Sequence, residues 1–316
     1  AVRAIAVSNT AIYVGGSFAS AGGQTRANLA EFSRSNGALL PWAPTTDDIV
    51  EALIAAPDNS RVIVGGRFQN MNGSPIVGIG AVDGNTGATQ TWTSRPVPTA
   101  QLPNRSWVTD MVLSNGVVYA TDDGEGGHWF DGRWAATFAT GDLIWLNNCY
   151  GASYGTSVIG QVMYSVSHSH DCTSVGTFHD SNPEVWHRAL ADTTFATGTD
   201  QGAPGSNMNY AYQPVPTQLN WYPTVNAGTF TGIYQGGWSM ATNGTYLVMG
   251  GEFTTVNGVA QQGLATFASR AVAPNKIGPV YSTATKPSVI SLSSGTARIA
   301  FTGTWDPDDA TLTYQV

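Results

Sequence analysis

Charge is scarce in this chain. Asp, Glu, Lys and Arg make up 11% of its 316 residues, against roughly 25% in an ordinary soluble domain. Lysine occurs only at Lys276 and Lys286, while the other basic residues are all arginine; the skew points to a GC-rich bacterial genome. Thirteen basic residues against 21 acidic ones leave a net charge of -8. That balance argues against a nucleic-acid-binding surface, which needs a basic stripe. Long apolar runs are also lacking: none approaches the roughly 18 residues of a membrane span. Catalytic signatures are thin. There is no phosphate-binding loop and no His-Glu-x-x-His. A carbohydrate-active enzyme needs two carboxyls about 5 to 9.5 Å apart. Spacing singles out no pair among Glu31, Glu51, Glu125, Glu184 and Glu252.

Cysteine is limited to Cys149 and Cys172. In an oxidising compartment these form one disulfide, worth roughly 3 kcal/mol in the chain-entropy model. In a cytosol they are two buried thiols. Low charge with abundant Ser, Thr, Gly and Asn favours the extracellular alternative.

Glycine, with 37 positions, and tryptophan, with 10, are what the chain has in quantity. Much of the glycine falls in a repeat. Ala11-Ile12-Tyr13-Val14-Gly15-Gly16-Ser17-Phe18 returns as Arg61-Val62-Ile63-Val64-Gly65-Gly66-Arg67-Phe68 and as Tyr246-Leu247-Val248-Met249-Gly250-Gly251-Glu252-Phe253. Weaker copies lie at Val117 to Ala120 and Val162 to Ser165. An apolar strand precedes each copy. After the three close copies come a Gly-Gly or Asn-Gly turn and a third strand; in the first two, a Gly turn and a fourth strand with Trp42 or Trp92 follow. Four short strands in about 45 to 50 residues, joined by such turns, predict a propeller blade. A single four-stranded sheet cannot bury both faces, and stacked blades can. Glycine weakens a strand interior, so the Gly-Gly pair implies close backbone approach or a bulge.

The predicted fold is all-β: a β-propeller of four-stranded blades followed by the start of a β-sandwich. The repeats cover about 1–46, 47–100, 105–148, 149–225 and 232–272. A linker at 273–285 leads to an incomplete immunoglobulin-, fibronectin- or PKD-like module at 286–316, with strands at Ser288–Leu292, Ala297–Phe301 and Thr311–Val316. A complete sandwich needs about 100 residues, so the natural protein is expected to continue. The stretch from Thr193 to Asn220 carries no clear strand signal.

The Val-Gly-Gly-x-Phe repeats resemble secreted bacterial propellers of the delta-60 repeat type. Ser165 to Cys172, Asn182 to Leu190 and Gly250 to Phe267 are similar to segments of large actinobacterial surface proteins. In those, fibronectin-, PKD- or laminin-G-like modules follow the propeller. The resemblance covers the whole chain, is specific for architecture and poor for function. Because relatives carry one or two further blades, it implies a seven-bladed ring; the chain by itself reads as five-bladed.

Candidate ligand-binding residues are the aromatics in or beside the irregular loops: Trp129, Trp134, Trp186, Tyr210, Tyr212, Trp221 and Tyr222. Sugar rings stack on such faces. For metal, His168-x-His170-Asp171 puts two histidines on one face of a strand. Four of the five histidines fall between His168 and His187. Asp306-Pro307-Asp308-Asp309 and Asp122-Asp123-Gly124-Glu125 are acidic turns of a kind that suits calcium. Together these features predict a binding or scaffold module at the cell surface, with a glycan or protein partner. The alternative is a self-assembling subunit of an extracellular appendage.

Overall fold

The computed structural model describes residues 1–92, 97–101, 103–124, 129–202, 210–269, 271–273, 278–307 and 309–315. Among these residues the elements are strands and short 3-10 turns, and no helix is long and apolar enough to cross a membrane. Five antiparallel sheets follow one another along the chain. Blade 1 holds Val2–Val7, Ala11–Gly16 and Leu29–Ser33. Blade 2 holds Val50–Ala55, Val62–Gly66, Ile79–Val82 and Thr89–Gln90. Blade 3 holds Ser106–Ser114, Val117–Gly124, Gly132–Thr137 and Leu143–Asn147. Blade 4 holds Ser153–Ile159, Val162–Ser169, His187–Thr199 and Pro214–Gln218. Blade 5 holds Gly237–Thr242, Tyr246–Gly251 and Leu264–Ala268. Within each blade the strands meander in chain order, and the first strand of each blade lies beside the first strand of the next. This is a β-propeller, with the first strands innermost.

The core lies between blades. Val50, Leu53 and Phe68 pack with Tyr13 between blades 1 and 2, and Val108, Met111 and Trp134 pack with Ile63 between blades 2 and 3. Met240, Met249 and Phe253 pack with Val166 between blades 4 and 5. Each such side chain contributes roughly 1.5 to 3 kcal/mol on burial. Both faces of blade 2 are covered, so Val62, Ile63 and Val64 are all buried. In blade 1 the same phrase leaves Ile12 and Val14 only half-buried.

The Gly-Gly pair has two separate jobs. A Cβ on the first glycine would strike the next blade: Gly15 would lie 2.5 Å from Val50 Cγ1, and Gly65 2.9 Å from Val108 Cγ1. A Cβ on the second would strike its own blade. It would lie 2.1 Å from the Ala1 carbonyl at Gly16, 2.2 Å from that of Ile49 at Gly66, and 2.1 Å from that of Gly236 at Gly251. Those three carbonyls accept the N–H of Ser17, Arg67 and Glu252, the residue after each pair. Tryptophans fasten blade to blade. Trp42 Nε1 donates to Asp83 O at 2.9 Å, Trp92 to Phe138 O at 3.0 Å, and Trp145 to Thr194 O at 3.1 Å. Asp83 and Phe138 lie just past the end of the next blade's third strand, and Thr194 lies within it.

Several expectations need correction. The fourth strand of blade 1 shrinks to a single bridge, Phe32 to Leu39. Thr193 to Asn220 does carry strands: His187–Thr199 runs on to Thr199 and pairs with Pro214–Gln218. Pro214 and Pro216 masked that strand in the sequence, and they are tolerated because it lies at the blade's edge. Asp122 and Asp123 lie in a strand, not a turn, with Asp122 fully buried; Glu125 is outside the described residues. After the propeller, linker residues 274–277 are outside the described residues. Ser288–Ser293 and Thr296–Ala300 form a hairpin, and residues 311–315 form no strand. Val289, Ile299 and Phe301 are exposed, so these residues build no core of their own.

Candidate binding site

A β-bulge recurs at one position in the first strand of all five blades. The register slips between Val2 and Ala4, Val50 and Ala52, Val108 and Asp110, Ser153 and Gly155, and Gly237 and Ser239. The residues left unpaired are Arg3, Glu51, Thr109, Tyr154 and Trp238. A bulge turns its extra side chain out of the sheet's alternation. Because the first strands are innermost, these side chains hold corresponding places beside the axis, where those of neighbouring blades can meet.

Their contacts run from blade to blade. Arg3 pairs with Glu51 Oε2 at 3.3 Å, and Arg67 Nε with Glu51 Oε1 at 3.3 Å. The Arg67 guanidinium also lies 4.2 Å over the Trp107 ring of blade 3. Thr109 Oγ1 donates to Ser153 O of blade 4 at 2.6 Å. Tyr154 packs on Trp238 of blade 5 at 4.8 Å, and Trp238 Nε1 donates to Glu252 Oε1 at 3.1 Å. From Tyr154 a second arm passes to His168 at 6.0 Å and on to Trp186 at 5.9 Å, with the Arg188 guanidinium 5.2 Å from the Trp186 ring.

The electrostatics of this patch follow from burial. Desolvation pushes the Asp123 carboxyl up to about 6, against the nearby Arg67 charge and with that of Glu51. Asp131 is buried, which holds it well above the usual carboxylate range, and it accepts the Gly124 N–H. Burial first, then the Asp123 and Asp131 carboxylates, raise Tyr154 and keep it a neutral phenol. Burial lowers His168. The arrangement offers flat rings flanked by a carboxylate–guanidinium network, which can stack on a ring-bearing ligand and hydrogen-bond its hydroxyl or amide groups.

The seven sequence-predicted aromatics do not form one patch. Trp186 joins the site described above and is 37% exposed. Trp134 is a correction: it is fully buried, with Nε1 donating to Asp122 Oδ1 at 3.0 Å. Tyr210 is another, buried edge-on against Phe130 at 5.5 Å. In both cases the apolar ring fills the inter-blade core. Trp129 is half-buried under the Arg105 guanidinium at 4.8 Å, and Tyr212 is exposed. Tyr222 is half-buried against His187 and Phe178. Trp221 packs edge-on against Tyr164 at 5.0 Å and Phe267 at 5.2 Å, beside a cavity of about 500 Å³ between blades 4 and 5. It occupies the place at which Trp42 and Trp92 join other blades.

The expected metal ligands also separate. His168 Nε2 accepts the Ala152 N–H at 3.2 Å and Nδ1 meets Gln235 Oε1 at 3.2 Å. Both nitrogens are committed, so His168 is not a ligand. Asp171 Oδ1 accepts the Thr173 N–H at 2.8 Å, as a turn cap. Only His170 of the three keeps company with other candidate ligands, Asp180 and Glu184. Asp306 is buried and its Oδ1 accepts the Asp309 N–H at 3.0 Å; Asp308 lies outside the described residues. Cys149 and Cys172 form the expected disulfide, with Cα atoms 4.4 Å apart.

Sequence reasoning missed Arg3, Arg67, Trp107, Tyr154 and Trp238. A signal existed: in the aligned repeats, one bulky polar or aromatic residue interrupts the apolar first strand at the same place.

No protein-family model matches the chain, and no curated protein does. Among solved structures it is similar to Kuenenia stuttgartiensis hydrazine synthase, at 12% identity and a TM-score of 0.46 over 79% of this chain. It is similar to a chain of a nidogen/laminin complex, at 9% and 0.43 over 79% of this chain and 72% of that one. It is also similar to the Cps50 (Swd1) β-propeller domain of Myceliophteria thermophila, at 9% and 0.41 over 83% of this chain and 75% of that one. The chain spans 61% of the hydrazine synthase chain. These likenesses concern the fold alone and carry nothing about ligand or activity.

Proposed function

We propose that the chain is a non-catalytic extracellular binding and scaffold module of a delta-60-type bacterial surface protein, and that its axial patch takes a glycan. One observation carries the reading: five bulges at one repeat position hold Arg3, Glu51, Thr109, Tyr154 and Trp238, of which Arg3 pairs with Glu51 and Tyr154 with Trp238 across blades, where a merely structural repeat would place similar apolar residues. The disulfide and the low charge support an extracellular location. A glycan array followed by calorimetric titration tests it. A retained glycan is expected to bind on the order of tenfold more weakly to W238A and W186A, as for aromatic anchors, and equally well to Y212A. An array without hits, or binding indifferent to W238A, would overturn the reading.

A second reading has its own support. On blade 1, Val2 and Ile5 are 55% and 64% exposed, whereas their repeat equivalents Val50 and Leu53 are 0% and 7% exposed. On blade 5, a Cβ on Gly250 would meet nothing within 4 Å. Uncovered blade faces of this kind suit contact with further sheets, as in a subunit of an extracellular assembly. Sedimentation velocity over a concentration series tests this, and a concentration-independent monomer would count against it.

A further inference from the structure

We propose that His170, Asp180 and Glu184 bind one first-row divalent metal ion of the zinc class. Nδ1 of His170 lies 3.0 Å from Asp180 Oδ1 and 3.0 Å from Glu184 Oε1. The three donor atoms all lie within 4.8 Å of one another. An imidazole nitrogen carries at most one hydrogen, so it satisfies one of these oxygens and leaves the second carboxylate beside the first. Among the described residues, neither carboxylate forms a salt bridge with lysine or arginine. A cation at the centre removes that repulsion. A tetrahedral ion at about 2.0 to 2.2 Å from each donor holds the donors roughly 3.3 to 3.6 Å apart, a spacing that small side-chain rotations reach from here.

The backbone that carries His170 is held in place before any ion arrives. The His170 N–H donates to Tyr150 O at 2.9 Å, and the Tyr150 N–H donates to Asp171 O at 2.8 Å. Cys172, two residues on, is tied to Cys149 next to Tyr150, and the Tyr150 ring lies 6.3 Å from the His170 ring. Asp180 and Glu184 come from the loop that returns to the blade at His187. An ion would therefore bridge the end of one strand to the loop leading into the next. The donor set decides the class. One nitrogen with two carboxylate oxygens suits zinc or a similar first-row ion, whereas calcium takes six to eight oxygens. Asp180 and Glu184 are 56% and 40% exposed, which leaves the remaining coordination positions open to water. This site stands apart from the axial patch and does not depend on a glycan binding there.

The test is titration of the chelator-treated, desalted 316-residue chain with zinc chloride by calorimetry. One equivalent is expected. H170Q, D180N and E184Q should each weaken binding by more than about tenfold, the loss seen when a group merely supporting a ligand is removed. H179Q serves as control, since His179 Nδ1 pairs with Thr173 Oγ1 at 2.9 Å outside the cluster. Melting curves in chelator establish that each variant is folded. Binding that survives all three substitutions, no saturable zinc binding at all, or calcium bound as tightly as zinc would each overturn the proposal.

Discussion

At the scale of single residues, buried aspartates dominate the physics. Desolvation raises Asp110 to about 6, Asp122 to about 7 and Asp123 to about 6, from 3.8. A carboxyl raised in the folded state carries no penalty below its unfolded value and the full penalty above its folded value. Stability is therefore lost as pH rises from about 4 through about 7. His187 acts in the opposite sense. Burial lowers it to about 4, so it costs stability as pH falls from about 6.5 to about 4. The melting temperature is expected to peak on the acid side of neutrality. D110N removes the charge, but its amide can accept only one of the Met111 and Thr156 N–H bonds that the two carboxylate oxygens accept. It should therefore flatten the fall of the melting temperature above pH 6 while lowering the melting temperature at pH 5. A melt series in which D110N falls as steeply as the parent between pH 6 and pH 8 would rule this out. The Asp122 result also explains why an acidic turn was a misreading. Sequence shows two adjacent carboxylates, but only the packed blade shows Asp122 covered and hydrogen-bonded by Trp134, Ser106 and Thr99.

At the scale of the strand, the Gly-Gly pair and the bulge explain one another. The bulge pushes the backbone before the first strand against the second glycine, and the N–H of the following residue ties that backbone down. Gly66→Ala would set a Cβ against the Ile49 carbonyl, part of a backbone that has little room to move. Overpacking of this kind costs about 1 to 3 kcal/mol or more. Gly250→Ala meets open space and should change stability by less than about 1 kcal/mol. Urea unfolding of both variants checks the contrast, and equal losses would mean that the pair is kept for flexibility instead of close approach. The phrase itself was legible from the repeat. The bulge was not, because it is a property of the register between two strands and not of either strand alone.

At the scale of the whole molecule, neighbours decide what a repeated residue does. Ile5 and Leu53 hold the same place in successive first strands, opposite Val14 and Val64. Leu53→Asp buries an unpaired charge between blades 1 and 2 and should prevent folding or cost several kcal/mol, roughly 3 or more. Ile5→Asp puts the charge on an uncovered face and should shift the melting temperature of the isolated chain little. Thermal melts of the two variants decide; a similar collapse in both would mean that the face of blade 1 is covered in solution. Trp221 teaches the same lesson. It is a candidate ligand-binding ring by sequence, and it sits where the inter-blade tryptophans sit, as its likeness to the Trp42-Ala43-Pro44 phrase also suggests, against Phe267 of the next blade.

The sequence by itself determined the all-β class, the blade repeat and the glycine turns. These follow from local alternation, turn chemistry and composition, which each short segment carries within itself. Only the tertiary structure decided which side chains meet. It set Trp134 and Tyr210 into the core, committed both nitrogens of His168, and gathered His170, Asp180 and Glu184. It also paired Arg3 with Glu51 and Tyr154 with Trp238 across blades. The reason is geometric. A propeller brings residues from successive blades together near its axis, so residues some fifty positions apart become neighbours through register and stacking, and no local pattern encodes that convergence.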